Sequence, residues 1–118
     1  GEKVWIDNLD NVKIGNNVCI SQWAYLCTGS HNYKKETFDL ITKPIEIEDY
    51  VWITARAIIS PGVKCKKMSV LTLGSVATRD LKENTIYQGN PAKPVRKRKW
   101  KRKEQFLSIR IPGKKLDK

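Results

Sequence analysis

The sequence predicts an all-β fold, a solenoid built from hexapeptide repeats. Aliphatic or small residues recur at every sixth position in two registers: Ile14, Ile20 and Leu26, then Ile47, Ile53, Ile59, Cys65, Leu71 and Ala77. A second set of small or β-branched residues lies four positions further on, with Leu81 as its only larger member. A period of six fits neither an α-helix nor a simple strand. It is typical of a parallel β-helix, in which each hexapeptide supplies one short strand and one turn.

The first repeat block covers residues 1–30. Its step from Ile6 to Ile14 is two positions longer than a hexapeptide, so we expect a two-residue bulge at the intervening turn. Residues 15–17, Gly-Asn-Asn, supply the next turn, because Gly and Asn tolerate a positive φ. The chain begins within a repeat, and we therefore expect further coils to precede it.

A long interruption separates the two repeat blocks. The step from Leu26 to Ile47 is not a multiple of six, so we expect a functional loop to leave the coil over residues 31–44. Residues 45–82 return to strict hexapeptides. Residues 83–92 lose the repeat and are expected to form turns around Gly-Asn-Pro at 89–91. The repeat positions together correspond to a little over three coils.

The net charge of +11 is concentrated at the C-terminal end. Residues 1–92 contain 11 Lys and Arg against 10 Asp and Glu, whereas residues 93–118 contain 12 against 2. We therefore divide the chain into a near-neutral solenoid domain, residues 1–92, and a short basic tail, residues 93–118.

The three cysteines indicate a reducing environment. Cys19, Cys27 and Cys65 match no zinc or disulfide framework, and we expect them to be buried, reduced thiols. We therefore expect a cytoplasmic location. No apolar run approaches the ~18–20 residues of a membrane span, and no signal peptide is visible.

Four segments resemble one family: Ile20–Tyr33, Asp49–Gly62, Gly74–Asp80 and Gly89–Arg96. Together, over about residues 4–96, they are similar to the hexapeptide-repeat acetyltransferases, and most to the sugar O-acetyltransferases of colanic-acid and capsule biosynthesis. The resemblance implies a left-handed parallel β-helix and a homotrimer with active sites between subunits. It also implies acetyl-CoA as co-substrate, a sugar hydroxyl as acceptor and no metal.

His31 is the chain's only histidine, and it begins the interruption of the repeat. A lone histidine is often structural, but the resemblance assigns His31 the role of general base. A neutral imidazole can take the proton from an acceptor hydroxyl as its oxygen attacks a thioester carbonyl. Because both substrates are held together, the acetyl group passes directly between them. Cys27, which shortly precedes His31, raises the alternative of a Cys–His nucleophilic pair.

The resemblance also matches residues to acetyl-CoA. Trp52 is placed beside the pantetheine arm, and its alternative role is packing against a neighbouring subunit. The backbone at Ala55, Arg56, Leu73 and Gly74 is matched to the pantetheine track. The nucleotide end of acetyl-CoA is matched to Thr78, Arg79, Lys93 and Arg96. The last three carry positive charges, which suit phosphate. Thr54 and Leu73 stand where relatives usually carry smaller residues, and bulk there would narrow this track.

Polar residues of the first block are candidates for the acceptor side. Asp7, Asn8 and Asp10 lie at the lengthened step and either bind sugar hydroxyls or form an ordinary turn. Tyr33, within the loop, is a candidate to close over the acceptor. Trp23 occupies a position where relatives often carry Gly, and we expect it to narrow this side of the groove.

Three other functions compete with acetyl transfer. A γ-class carbonic anhydrase site needs three histidines on zinc, which one histidine per chain argues against. The run KPVRKRKWKRK, with Trp100, has the charge of a module that binds nucleic acid or another anionic polymer, although we expect no nucleic acid partner. The bulky residues Thr54 and Leu73 leave open an inactive or differently specific relative.

Overall fold

A computed structural model describes residues 1–99 of the chain. Within this range the regular structure consists of short strands and contains no helix. The strands are β1 (Trp5–Asp7), β2 (Val12–Ile14), β3 (Cys19–Ile20), β4 (Tyr25–Cys27), β5 (Gly29–His31), β6 (Leu40–Thr42), β7 (Ile45–Ile47), β8 (Trp52–Ile53), β9 (Ile58–Ile59), β10 (Lys64–Cys65), β11 (Val70–Leu71), β12 (Val76–Ala77), β13 (Thr85–Gly89) and β14 (Ala92–Lys97).

Successive strands lie in turn on three sheets, which we name A, B and C. Sheet A contains β1, β4, β9 and β12, and sheet B contains β2, β7 and β10. Sheet C contains β3, β8, β11 and β13 in parallel, with β14 antiparallel at its edge. The chain therefore winds as a three-sided parallel coil with an A/B, a B/C and a C/A corner in each turn.

The strand register confirms the hexapeptide period in the second block. Ile47 pairs with Cys65 and Ile53 with Leu71, so one coil takes three hexapeptides. The inward aliphatic side chains of this block are almost fully buried, and each such Leu or Ile contributes roughly 1.5–3 kcal/mol. In the first block Ile6 pairs with Leu26, two positions beyond three hexapeptides, which confirms the bulge at the first A/B corner.

The expectation that residues 83–92 lose the repeat was wrong. Leu81 pairs with Cys65, and Tyr87 pairs with Leu71, in each case two positions short of three hexapeptides. The A/B corner before Leu81 is shorter than in earlier coils by the same amount. Leu81 therefore occupies an inward strand position, and the sequence-based placement of Leu81 in the second set of small residues was wrong. Tyr87 is buried in the core, and its hydroxyl accepts a hydrogen bond from the Lys82 amide at 2.9 Å.

The first residues of the basic tail are part of this fold. β14 pairs antiparallel with β13, so the strand crosses the expected boundary at residue 92. The Arg98 guanidinium then donates a 2.6 Å hydrogen bond to the Tyr50 carbonyl at the B/C corner. Desolvation lowers the pKa of Arg98 from its ordinary value. Residues 100–118, including Trp100 and the last part of the basic run, lie outside the described residues.

The expected loop is a hairpin at the A/B corner. Leu26 pairs with Ile59, so the excursion almost doubles the length of this coil relative to the regular coils of the second block. β5 and β6 pair antiparallel within it, beginning at Gly29 rather than at residue 31. Thr42 donates a 3.0 Å hydrogen bond to the Asp10 carboxylate, which ties the hairpin to the coil before it.

Candidate functional site

His31 lies at the end of β5 with its side chain exposed. Its Nδ1 atom is 3.0 Å from the carbonyl oxygen of Phe38, and its ring stacks on the Phe38 ring with centroids 4.3 Å apart and planes at 10°. A carbonyl oxygen can only accept a hydrogen bond, so Nδ1 carries the proton of the neutral ring. Nε2 is then the unprotonated nitrogen, in the state that a general base requires.

The hairpin around His31 is ordered by its own hydrogen bonds. The Asn32 amide donates to the Asp39 carbonyl at 2.8 Å, and the Phe38 amide donates to the Lys35 carbonyl at 3.0 Å. Phe38 has a φ of 53°, in the left-handed region, and its carbonyl oxygen is the atom that lies 3.0 Å from His31 Nδ1. Tyr33 projects from the same hairpin and is 79% exposed.

The candidate acceptor residues lie beside this hairpin, at the A/B corner of the first coil. The Asp10 carboxylate accepts hydrogen bonds from Thr42 and from the Asn11 amide, so it already has a structural role. The Asp7 carbonyl accepts from the buried Thr28 hydroxyl at 2.6 Å. Asn8 is exposed, and the Asp7 carboxylate lies next to Gly29 at the base of β5. Asp7 and Asn8 are thus the acceptor candidates whose side chains make no hydrogen bond within residues 1–99.

The cofactor candidates on sheet C form a separate group. Trp52 lies between Cys19 and Val70 on the outer surface of this sheet and is 43% exposed. Its indole N–H donates a 2.9 Å hydrogen bond to the Ser21 hydroxyl. This bond fixes the ring against the coil and leaves part of its surface open to a ligand.

Two successive C/A turns continue from Trp52. Ala55 and Arg56 form one turn, and Leu73 and Gly74 form the next. The Gly74 amide donates to the Ala55 carbonyl at 3.0 Å, which joins the two turns. Within the described part of the chain, the amides of Ala55 and Leu73 have no hydrogen-bond partner. These two donors are about 4.8 Å apart along the corner, a spacing that suits an extended chain with amide carbonyls.

Of Thr54, Thr72 and Leu73, the three residues that add bulk to these two turns, only Leu73 is exposed. Thr54 is buried, and its hydroxyl has no hydrogen-bond partner within residues 1–99. The Thr72 hydroxyl lies 2.8 Å from that of Ser75. Leu73 is 71% exposed, whereas Gly74 has a φ of +66° and open space where a Cβ would stand. Thr54 therefore points into the coil and does not narrow the corner.

The remaining cofactor candidates form two groups that lie apart from each other within a single chain. Lys93 and Arg96 are exposed on β14, at the far edge of sheet C, and so continue the row of Trp52 and the C/A turns. Thr78 and Arg79 are exposed at the A/B corner, two coils beyond the His31 hairpin. His31 and these two residues thus lie across sheet A from the C/A turns.

The cysteines differ from one another and do not form a catalytic pair with His31. Burial, and secondly the charge of Asp80, raises the pKa of Cys65 to about 12. The Cys27 thiol donates to the Gly29 carbonyl at 3.2 Å, and within the described residues it makes no hydrogen bond to His31. Cys19 is exposed and Cys27 is only half-buried, so the expectation of buried thiols was wrong for both, because each follows or precedes an inward residue and faces outward.

Residues 1–99 contain no group of three His, Cys, Asp or Glu side chains that could hold a metal ion. The same residues include no helix long and apolar enough to cross a membrane.

Sequence reasoning missed Phe38 and Ser21, which orient His31 and Trp52 respectively. An aromatic residue in a polar loop was the only sign of Phe38. Ser21 is far from Trp52 along the chain, and only the coil-to-coil register identifies it as a neighbour.

Comparison with known proteins identifies relatives with the same repeat. No protein-family model matches the chain. A Schizosaccharomyces pombe protein provisionally named an acetyltransferase is 40% identical over 89 residues, which are 73% of this chain and 43% of that protein. The colanic acid biosynthesis acetyltransferase WcaF of Escherichia coli, also provisionally named, is 34% identical over 98 residues, 83% of this chain and 54% of its own.

Solved structures agree with these relatives. A hexapeptide-repeat-containing acetyltransferase of Vibrio cholerae, complexed with acetyl coenzyme A, superposes with a TM-score of 0.78 at 33% identity, covering 83% of this chain and 55% of that one. A galactoside acetyltransferase in complex with coenzyme A gives a TM-score of 0.75 at 30% identity, covering 80% and 48%.

The chain spans about half the length of the relatives that it matches. The similarity nevertheless covers most of the described residues in both sequence and fold. The stacked hexapeptide coils and these matches together show that, over most of the described residues, the chain is homologous to the hexapeptide-repeat acetyltransferases.

Proposed function

We propose that the protein is an acetyl-CoA-dependent O-acetyltransferase that acts on a sugar hydroxyl in the biosynthesis of a surface or capsular polysaccharide. The observation that carries this proposal is the state of His31, an exposed imidazole whose Nδ1 is bonded to a carbonyl and whose Nε2 is therefore available as a base. The relatives named for colanic acid and galactoside acetylation support a sugar acceptor.

In the proposed reaction His31 takes the hydroxyl proton of the acceptor on Nε2. The acceptor oxygen attacks the thioester carbonyl carbon, the C–S bond breaks, and the imidazolium returns its proton to the departing thiolate. Such a base typically contributes about 10²–10⁴-fold to the rate. Nδ1–H remains bonded to the Phe38 carbonyl throughout, which holds the ring in one orientation. Direct transfer needs no covalent enzyme intermediate, in keeping with the Cys27 thiol, which is bonded to the Gly29 carbonyl and makes no hydrogen bond to His31 within residues 1–99.

Acetyl-CoA would lie along sheet C and the C/A corner. The free amides of Ala55 and Leu73 would donate to the pantetheine carbonyls, and the exposed part of the Trp52 ring would cover its apolar atoms. Open space beside Gly74 leaves room for the chain to pass. At the far edge of the sheet, Lys93 and Arg96 would face the nucleotide phosphates.

A complete site would need two copies of the chain. His31, Asp7, Tyr33, Thr78 and Arg79 belong to the A/B-corner side, and the row from Trp52 to Arg96 belongs to the other edge of sheet A. A ring of subunits that places one A/B corner against the next C/A corner would bring both groups to each active site. We propose a homotrimer of this kind, built from coils that are left-handed like those of the family.

The free thiols are consistent with the reducing cytoplasm as the place of action. Binding of nucleic acid is not part of the proposal, which assigns the exposed cations Lys93 and Arg96 of β14 to the phosphates of coenzyme A.

The test is acetyl transfer by the whole protein to a panel of sugars. The rate is measured from the CoA thiol that each transfer releases. We expect His31→Ala to lower kcat by about 10²–10⁴-fold. Lys34→Ala, a change on the same hairpin, is the matched control and should keep the wild-type rate. Equal rates for His31→Ala and the wild type would reject His31 as the base, and no transfer to any sugar by the wild type would reject the activity.

A further inference from the structure

Three side chains form a cationic and aromatic stack on the C/A corner, which we name the Trp23 stack. The Lys3 ammonium lies 5.7 Å from the centroid of the Trp23 ring, and the Arg56 guanidinium carbon lies 5.5 Å from it. The three residues occupy the same turn position in successive coils, with φ values of 62°, 66° and 60°. Lys3 and Arg56 therefore approach the indole from the coil before it and the coil after it.

A ladder of backbone hydrogen bonds holds this stack in place. The Trp23 amide donates to the Glu2 carbonyl at 3.2 Å, and the Arg56 amide donates to the Gln22 carbonyl at 3.1 Å. Successive members are thus about one strand spacing apart, ~4.8 Å. A left-handed backbone is strained for a residue with a side chain, and Trp23 is 51% exposed, so core packing does not explain its presence.

The stack lies on the acceptor side of the proposed cofactor track. That track begins at Ala55 and Arg56, passes Leu73 and Gly74, and ends at the cations of β14 in the last coils. The phosphates of coenzyme A therefore belong at the C-terminal end of the coil. Lys3 and Trp23 extend the corner in the opposite direction, beyond the point where the thioester would lie and where the acceptor must approach.

The charges of the stack remain available to an anion. Within the described residues neither Lys3 nor Arg56 takes part in an ion pair. Glu2 precedes Lys3 in the same turn and is exposed, and it likewise forms no ion pair within residues 1–99. A guanidinium binds a carboxylate through two parallel hydrogen bonds, and an indole supplies an apolar surface for the C–H face of a sugar ring.

We propose that the acceptor is a carboxylated sugar, of the uronic acid type, and that Lys3 and Arg56 bind its carboxylate beside Trp23. This inference rests on the proposed acetyl transfer and specifies the acceptor class. It explains why two cations flank an exposed tryptophan at a turn position that favours glycine.

The experiment compares matched pairs of methyl glycosides that differ only in a C6 carboxylate or hydroxymethyl group, in the gluco, galacto and manno series. Both acetyl transfer and binding, the latter by ligand-observed NMR without acetyl-CoA, are measured on the whole protein. We expect the uronate of at least one pair to have a kcat/KM roughly tenfold or more above that of its neutral partner, with the preference decreasing as salt is raised.

The variants Lys3→Gln and Arg56→Gln should each lower the uronate preference severalfold, for transfer and for binding. Lys13→Gln removes the same charge from the outer surface of sheet B and should keep the wild-type preference. Equal use of both members of every pair, or an unchanged preference in both variants, would overturn the inference. An increase in the KM for acetyl-CoA in Lys3→Gln with no change in preference would also overturn it, because the cation would then serve the cofactor.

The two proposals fail in different ways. Acetyl transfer to neutral sugars alone would uphold the activity and overturn the uronate inference. Uronate binding that Lys3→Gln and Arg56→Gln weaken, in a protein that transfers no acetyl group, would uphold recognition by the Trp23 stack and reject the activity.

Discussion

The imidazole of His31 is held by Phe38 in two ways: Nδ1 lies 3.0 Å from the Phe38 carbonyl oxygen, and the two rings are stacked with centroids 4.3 Å apart. Both contacts come from one residue of the same hairpin. The hairpin therefore sets both the tautomer and the plane of the proposed base without help from another element.

Phe38→Ala should impair this orientation while leaving the carbonyl in the chain. We expect kcat to decrease by about tenfold, because a freely rotating imidazole spends less time in a productive position, with little change in the KM for acetyl-CoA. The fraction of His31 protonated on Nδ1 in the neutral form, measured by ¹⁵N NMR, should decrease as well. Phe38→Tyr keeps the ring and is the control. A wild-type tautomer distribution in Phe38→Ala would contradict the positioning role.

Gly74→Trp should block the cofactor track at the C/A corner. A Cβ at Gly74 meets open space, so the new side chain would occupy the corner rather than the core. We expect the KM for acetyl-CoA to increase more than about tenfold, at a stability cost of about 1–2 kcal/mol for the positive φ. Asn17→Trp makes a similar change at a B/C turn with a φ of 56° and should leave this KM unchanged. Equal effects of the two variants on KM would argue against the track.

Arg98→Ala should destabilise the last coils. The guanidinium donates to the carbonyls of Tyr50 and Met68, and the Arg98 amide donates to the Asn84 carbonyl, so one residue joins three turns of the B/C corner. Loss of the side-chain bonds should lower the free energy of unfolding by about 1–2 kcal/mol in urea titrations. Lys97→Ala removes an exposed cation next to it and should change stability by less than about 0.5 kcal/mol. An equal decrease in the free energy of unfolding in Arg98→Ala and Lys97→Ala would contradict a specific role for Arg98.

The buried thiol of Cys65 should make stability fall at alkaline pH. Its pKa is raised from 9.0 to about 12 by burial, so between these values the unfolded chain releases a proton that the folded chain keeps. Above pH 9 the free energy of unfolding therefore decreases by up to about 1.4 kcal/mol per pH unit. Cys65→Ala lacks this effect, so the stability advantage of the wild type over the variant should shrink between about pH 9 and pH 11. A constant difference in the free energy of unfolding between the wild type and Cys65→Ala across this pH range would refute the raised pKa of Cys65.

The sequence predicted the coil, the hairpin position and the outward tryptophan because these follow from a regular spacing of inward residues. The register of Leu81 was not predictable in this way, since the shortening of one corner leaves the composition of the repeat unchanged. The only indication of this register in the sequence was that Leu81 is a large residue in a series of small ones. The Arg98 bonds and the Trp23 stack join residues that are distant along the chain, and only the coil stacking brings them together.

In the proposed oligomer each active site combines the A/B corner of one subunit with the C/A corner of another. The direct measurement is acetyl transfer, at an acetyl-CoA concentration well below the raised KM of Gly74→Trp, by oligomers reassembled from equal amounts of His31→Ala and Gly74→Trp chains, each strongly impaired by itself. If the site lies between subunits, random mixing should restore roughly a quarter of the wild-type rate, because some sites then combine an intact His31 with an intact Gly74 corner. A mixture no more active than either variant alone would contradict the account.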